Sequence, residues 1–457
     1  MTLNHTLNIG ANGLNVAALG NTVSAHNATN AETEGYSRQQ VVQKARPIHL
    51  GGGVFNDQPQ RAVDAFVDRR LAVAHSLDGE ASARSDILAA LDRIFTNDEG
   101  AIGPALDDFE SAVATFSEGP AEPASRVALL SAAERLARSF HSSASALDEA
   151  RREADEGIAR EVEQINMLVE EISEVSRSIQ EAVTSRQDPA SLQDQRDTLI
   201  REVATRVPVS VLPDGQDGIT LMLGSSRILA STGVEPRKLT TFVDANGDIS
   251  VITDDALQED FTSLITSGSI HGYLDARNGA IADAQDSLDE LAYDIATAYN
   301  DVHVTGFGMD GSSGRNLFEP QVAAADAAMN MAVSADVAGF PEYLAGAQVA
   351  GLSGDNRVAL LMTELAGSNI ASGGTATSTR AYAQLMGEAG TTVRAALGQV
   401  DHATLSLQQA QSVRAAISGV STDEEMINLM RYQRAYQASL RVIETADSML
   451  GELMNLR

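Results

Sequence analysis

The chain contains no cysteine and no tryptophan, and lysine occurs only as Lys44 and Lys238. Without cysteine there is no disulfide and no thiolate metal site, and the redox state of the compartment leaves no trace in the sequence. Aromatic residues make up only 4% of the chain, too few for an aromatic-rich β-sandwich. The 43% of hydrophobic residues in 457 supply at least one good core built from Ala, Leu, Ile and Val, and the length corresponds to roughly three domains. Positive charge is scarce as well. With 32 basic against 63 acidic residues the formal charge is -31, which argues against nucleic acid and against a membrane surface as partners, because both need a basic face. No stretch of eighteen apolar residues occurs, and the N-terminus lacks a basic region followed by an apolar core and a cleavage site. Neither a membrane anchor nor a cleaved signal peptide is expected, whereas export by a route that leaves its cargo uncut stays open.

What is present is helical periodicity. Ile158, Val162, Ile165, Val169 and Ile172 alternate steps of four and three, continuing through Val175, Ile179 and Val183. Residues 139–186 are therefore expected to form one helix about 70 Å long. A second run, Ile281, Ala284, Leu288, Leu291, Ile295, Ala298 and Val302, keeps the same spacing, as do Val393, Leu397, Val400, Thr404 and Leu407. The chain closes on Tyr436, Leu440, Ile443, Asp447, Leu450 and Met454. The fold class this predicts is mainly α, an elongated multi-domain bundle of long helices formed by both the N- and C-terminal halves, with a small β-rich domain inserted in the middle.

That insertion is read from a change of period. Residues 207–231 and 238–253 are rich in β-branched residues and broken by Asp-Gly and Asn-Gly turns, the pattern of hairpins. The expected domains are 1–45 with 418–457 as a terminal helical inner-tube domain, 46–206 with 266–417 as a helical bundle with an irregular excursion at 304–350, and 207–265 as a β-rich outer domain.

The first helix poses a problem. In residues 7–39 a seam runs through Leu7, Gly10, Leu14, Ala17, Asn21, Ser24 and Ala28, made mostly of small and polar groups. Gly10, Gly13 and Gly20 each cost a helix about 1 kcal/mol relative to alanine. Such a helix needs a partner.

No chemistry of catalysis emerges. "DANGDIS" at 244–250 resembles a calcium loop, but its Gly247 falls at the fourth position rather than the sixth, so it reads as a hairpin turn. "GMDGSSG" at 308–314 lacks the Gly-Lys-Ser/Thr ending of a phosphate loop. The eight histidines show no ligand spacing, and His271 and His303 read as ordinary polar or capping residues. The carboxylates Asp107, Asp108 and Glu110, and Asp423, Glu424 and Glu425, mark solvated faces or helix N-termini. Without a Ser/His/Asp pattern or a nucleophile elbow, no catalytic, cofactor or metal residue is assigned.

"NATNAETEGYSRQ" does carry a resemblance. Asn27, Asn30, Thr33, Gly35 and Tyr36 match the Asn-x-x-Asn-x-x-Thr-x-Gly-Tyr signature of bacterial flagellar axial proteins, and residues 418–457 look like their C-terminal signature. Between them, "LQDQRDTLIREVA" (192–204), "GSIHGYLDARN" (268–278), residues 288–318 and "SGDNRVALLMTEL" (353–365) resemble the family of hook-associated protein 1, found at the hook-filament junction. For that family the chain looks short, and only one β-rich insertion is visible.

The resemblance implies a structural protein, not an enzyme. It would be exported unfolded by the flagellar type III apparatus, helped by an export chaperone. It would form a homo-oligomeric ring or helical joint on the hook protein and carry the next hook-associated junction protein, in the extracellular flagellum, with no nucleic acid, membrane or cofactor involved. In such proteins the two termini pair as helices and pack with neighbouring subunits. The expected subunit-assembly interface is Leu7, Gly10, Leu14, Ala17, Asn27, Asn30, Thr33, Gly35 and Tyr36 with Met426, Leu429, Tyr436, Leu440, Ile443, Leu450 and Leu453. A hook or distal-rod protein shares the terminal signatures but should have a more β-rich middle. A cytosolic coiled-coil scaffold explains the heptads and not the ends. An inserted appendage protease domain would need a catalytic cluster in 207–265, and none is there.

Overall fold

The computed structural model describes residues 3–45, 47, 52–56, 59–96, 101–215, 217–224, 226–245 and 247–455. Helix α1 (Leu3–Thr29) leads into two minimal antiparallel sheets, β1 (Gln39–Gln40) with β4 (Gln60–Arg61) and β2 (Gln43–Ala45) with β3 (Val54–Asn56). Helices α2 (Ala65–Thr96), α3 (Ile102–Glu118), α4 (Pro123–Thr184) and α5 (Ala190–Arg206) follow. Next come a three-stranded sheet of β5 (Val209–Asp214), β6 (Gly218–Leu223) and β7 (Arg227–Ser231), and the hairpin β8 (Leu239–Val243) with β9 (Ile249–Thr253). The chain returns to helix through α6 (Ser269–Asp275), a π-helical turn Ala276–Ile281 and α7 (Ala282–His303). It ends with the short α8 (Ala327–Asn330), α9 (Arg357–Ala366), α10 (Ser378–Ser418) and α11 (Thr422–Asn455). The fold is mainly α. Among the described residues no helix is long and apolar enough to cross a membrane.

The chain divides into two compact units. One comprises residues 81–160 and 269–401. Its core joins Leu88, Leu91, Ile102, Leu106, Phe116, Leu129 and Phe140 to Leu288 and Ile295, the inward positions of the α7 heptads. Phe109 lies at its centre, edge-on to Tyr299 at 4.9 Å and 5.7 Å from Phe318. The irregular stretch after α7 is part of this core, since Leu317, Phe318, Val337 and Leu344 are fully buried.

A stretch without regular structure brings backbone groups into the core that need partners, and buried polar side chains of α7 supply them. Asn300 accepts from the N–H groups of Leu317 and Phe318 at 2.8 and 2.9 Å and donates to the Phe318 carbonyl at 3.0 Å. Asp289 accepts from the N–H groups of Asp326 and Ala328, at the start of α8. His303 bridges two strands of the loop: Nε2 accepts from the Ala345 N–H at 2.9 Å, so Nδ1 carries the proton it donates to the Arg315 carbonyl at 2.7 Å. From the other side Arg126, stacked on Phe116, donates to the carbonyls of Pro120, Pro341 and Leu344. Arg277, in the π-helical turn, is buried against Asp155.

The other unit comprises residues 1–80, 161–268 and 402–457. Here the α4 stripe of Val162, Ile165, Val169, Ile172, Val175 and Ile179 is buried as its spacing predicts. Part of its cover is a sheet rather than a helix. Ile172 and Ser176 face Ile219, Leu221 and Ala230 of β6 and β7. The Asn166 amide closes two hydrogen bonds, both 2.8 Å, with the backbone of Leu239. "DANGDIS" is the turn between β8 and β9, where the Asp248 N–H donates to the Asp244 carboxylate at 2.9 Å; its Asn246 lies outside the described residues.

Two helices differ from the register expected of them. Helix α10 buries Ala389, Ala396, Ala403 and Ala410, a line of alanines seven residues apart, and leaves Leu397 exposed. Small side chains draw helices closest, so they form the contact line, and the larger apolar groups flank it. Helix α1 stops at Thr29 instead of running on to residue 39, because Thr29 and Asn30 turn their side chains back onto carbonyls of the last turn.

His303 makes stability depend on pH. Burial, with a smaller push from Arg126 and Arg315, lowers its pKa from 6.5 to about 4. A base whose pKa falls on folding stabilises the fold fully above its unfolded value, and that contribution is lost as pH drops through 6.5 towards 4. The loss amounts to up to about 3 kcal/mol. Denaturant unfolding between pH 7 and 4 should show a steeper fall for the wild type than for His303→Gln. Parallel curves would exclude His303 as the titrating group.

Candidate functional site

The sequence of α1 finds its partner in α11. The two helices are antiparallel neighbours, and the three costly glycines lie on the line between them. A Cβ on Gly10 would sit 2.7 Å from Ile443 Cγ1, one on Gly13 would sit 2.7 Å from the Ser439 hydroxyl, and one on Gly20 would enter the Tyr432 ring. The glycines are therefore grooves that receive α11 side chains. Gly10, Ala17, Gly20, Ser24 and Asn27 are buried, with Leu7 and Leu14 half-buried at the seam.

Helix α11 answers with a heptad line of its own. Glu425, Leu429, Tyr432, Tyr436, Ser439, Ile443, Ala446 and Leu450 recur at alternating steps of four and three, and all are buried or half-buried. Of the residues expected at the interface, Leu429, Tyr436, Ile443 and Leu450 belong to this line. Met426 and Leu440 point away from it and are exposed, joined by Ile427, Met430 and Met449, whereas Val442, also partly exposed, borders the Gly10 groove beside Ile443. The Leu453 side chain lies outside the described residues. In the second half of α11 the seam runs through Ser439 and Ala446 rather than Leu440 and Asp447, since a small group is what fits beside Gly13.

The signature turn joins this pair to the rest of its unit. The buried Asn27 amide pairs with the Gln39 backbone, donating to its carbonyl at 2.8 Å and accepting from its N–H at 3.0 Å, and also accepts from the Tyr36 hydroxyl at 2.7 Å. Asn30 donates to the His26 carbonyl and accepts from the Thr33 hydroxyl. Burial, then the charges of Asp194 and Glu425, push the Tyr36 pKa up, so the phenol stays a donor. Gly35 is required twice over. Its φ of +81° lies in the left-handed region. A Cβ there would also fall 2.5 Å from the Thr198 hydroxyl.

The elements that grip the turn come from far along the chain. Arg414 of α10 donates to the Gly35 carbonyl at 3.0 Å. Asp194 of α5 accepts from the Ser37 N–H at 3.1 Å and pairs with Arg61 at 2.9 Å, while Arg61 also binds Asp197. Arg38 donates its N–H to the Ser418 carbonyl, and its guanidinium pairs with Glu425 at 2.8 Å and Glu424 at 3.0 Å. The turn thus ties α5, the end of α10 and the start of α11 into one clasp, which fixes where α11 sets out along α1. Sequence reading missed Asp194, Thr198, Arg414 and the Arg38–Glu425 pair. For Asp194 and Glu425 the one signal was charge inside "LQDQRDTLIREVA" and "DEE", which reads equally well as a solvated face.

The glycine line makes a directional prediction. Alanine at position 20 gains up to about 1 kcal/mol of helix propensity, but forcing a methyl group into a packed contact costs about 1–3 kcal/mol. Gly20→Ala should therefore accelerate amide exchange in both α1 and α11. Gly13→Ala should do so less, because a serine hydroxyl can rotate aside. Slower exchange in Gly20→Ala would contradict the close approach.

Known proteins resemble this chain in sequence and in fold. Residues 88–318 match the profile of the flagellar hook-associated protein FlgK helical domain, and residues 414–456 match that of the flagellar basal body rod FlgEFG protein C-terminal. Flagellar hook-associated protein 1 of Salmonella typhimurium is 24% identical, with 100% of this chain and 99% of that protein aligned. The Bacillus subtilis protein of that name is 25% identical over 96% and 95%. The Salmonella alignment runs over 555 positions against 457 residues here, so that relative carries segments with no counterpart in this chain. The solved structure of the flagellar hook junction protein FlgK from Burkholderia pseudomallei superimposes with a TM-score of 0.63 at 14% identity, over 77% of this chain and all of that one, a likeness of fold. On the helical profile, which matches half of the sequence, the chain belongs to the flagellar hook-associated protein FlgK family.

Proposed function

We propose that this chain is a subunit of the joint between hook and filament, a homo-oligomer that seats on the hook protein and receives the next junction protein on its distal side. Membership of the family makes it a structural component of the flagellum, lying outside the cell. The finer assignment rests on one observation. The α1–α11 pair is closed on the inside by glycine grooves and leaves Met426, Ile427, Met430, Leu440, Val442 and Met449 exposed on α11. A monomer gains nothing from so many exposed apolar groups on one helix, whereas packing against neighbouring copies buries them.

In this reading no residue is catalytic. The chain passes through the type III apparatus with its export chaperone, and α1 and α11 become fully ordered only among neighbouring subunits. Few groups stabilise the pair in the free chain. Ala446 is the one fully buried apolar residue of α11 among those described, against a whole core for α3, α4 and α7. Nucleation of isolated helices is costly, so the pair should fray.

Removal of the gene should leave hooks without filaments and release filament protein into the medium. Filaments of normal length on the mutant would overturn the junction assignment. Amide exchange across residues 3–20 and 432–455 should be fast in the free subunit and slow in isolated flagella, with residues 129–154 protected in both. Equal protection of the termini in the free subunit would show that the pair needs no neighbour.

A further inference from the structure

A second apolar surface lies in the same unit. Between α2 and α10 runs a groove of about 280 Å³, lined by Phe66, Arg69, Arg70, Val73 and Leu77 on one side and Ser406 and Gln409 on the other. Its floor is the alanine contact, Ala74 on Ala410, backed by Leu71. Phe66 is 64% exposed, Val73 56% and Leu77 44%, so the α2 wall is an unpartnered apolar stripe at i, i+7 and i+11. Arg69 and Arg70 stand on the same face, and among the described residues neither has an ion-pair partner. In a chain that carries -31 this is an unusual pairing of apolar and basic surface.

The first two turns of α11 carry the complement. Asp423, Met426, Ile427 and Met430 fall at i, i+3, i+4 and i+7 and form one face, with Met426, Ile427 and Met430 exposed at 57%, 61% and 49%. Asp423 begins that face and has no ion-pair partner among the described residues. Arg431 and Arg434 follow a turn later, so the acidic and apolar character is confined to the start of the helix. Groove and helix face thus match in kind: three apolar groups beside two cations, and three apolar groups beside an acid.

We propose that the groove between α2 and α10 receives the first two turns of α11 from a second copy of this chain, with Met426, Ile427 and Met430 on the Phe66–Val73–Leu77 wall and Asp423 beside Arg69 and Arg70. The proposal rests on the reading of the chain as a self-assembling subunit and names the surface that receives the exposed face. Because groove and ligand are different patches, the contact is heterologous, the kind that propagates around a ring or along a helix instead of closing a dimer. Methionine suits the task, since its flexible thioether fills an irregular groove.

The absence of cysteine makes the test clean. Two differently tagged full-length copies, one carrying Val73→Cys and the other Met426→Cys, are co-expressed in motile cells lacking the native gene, and sheared flagella are oxidised. The disulfide-linked heterodimer should exceed by at least tenfold that formed when Met426→Cys is paired with Glu174→Cys, an exposed position on α4. Arg69→Glu with Arg70→Glu in the groove copy should bring the yield down to the control, and Asp423→Arg in the other copy should restore it. Phe66→Ser, which removes apolar area and no charge, should lower it as well. Incorporation into flagella with cross-linking at the control level overturns the proposal. So does a yield indifferent to charge reversal, or a loss that Asp423→Arg leaves unrepaired. Absence of the wild-type chain from flagella would instead overturn the assembly reading itself.

Discussion

The structure of the chain's two ends depends on a close approach that only missing side chains permit. Gly10, Gly13 and Gly20 let Ile443, Ser439 and Tyr432 sit almost on the α1 backbone. Summed over three positions, glycine costs an isolated helix about 3 kcal/mol relative to alanine. That cost is offset where α11 covers the grooves and nowhere else. The stability of α1 is therefore a property of the pair, and whatever fixes the position of α11 fixes α1 with it.

Position is set by buried polar groups, which contribute more to uniqueness than to net stability. A buried ion pair loses hydration roughly in proportion to what it gains by attraction, so Arg61–Asp194 and Arg38–Glu425 are weak evidence for a stronger fold. They do make every other arrangement costly, because a slipped α11 would strand Glu425 in the interior without its cation. The same logic operates in the helical unit, where Asn300, Asp289 and His303 pair the backbone of a long irregular stretch. Sequence motifs that look like recognition elements are here the fasteners of the fold.

The helical skeleton was legible because periodicity is a direct image of burial. The stripes from Ile158 to Ile179 and from Ile281 to Ile295 are buried as spaced, and β5 to β9 fall within the two stretches whose period changes. Three kinds of feature were not legible. A stripe records that a face is covered but not by what, so the sheet over Ile172 left no mark on α4. Alanine lines are weak signals beside leucine and valine, which is why α10 was read through Leu397 instead of Ala396. Strands β1 to β4 are too short to alternate, being drawn from segments such as Gln39–Gln40 and Val54–Asn56. At the terminal pair the seam of α1 was readable from spacing alone, whereas the clasp was not, since a charge buried in a pair looks in sequence like a charge in water.

An excess of acid over base bears on how such a subunit can wait before it assembles. At physiological ionic strength the repulsion between copies is screened beyond about 8 Å and is strongest close to contact, so it keeps free chains apart and must be overcome where they meet. What holds copies together must then act at short range, through apolar contact with locally reversed charge. The exposed methionines of α11 are attractive only to a surface that fits them, and the chain's scarce basic residues are best placed where they select that surface. The relatives' additional segments have no counterpart here, yet the terminal pair, the clasp and the helical unit lie wholly within the aligned chain. Within its own unit the pair needs the clasp to define its register, because the grooves of α1 receive α11 only where Arg38–Glu425 and the Gly35 turn have set its starting point.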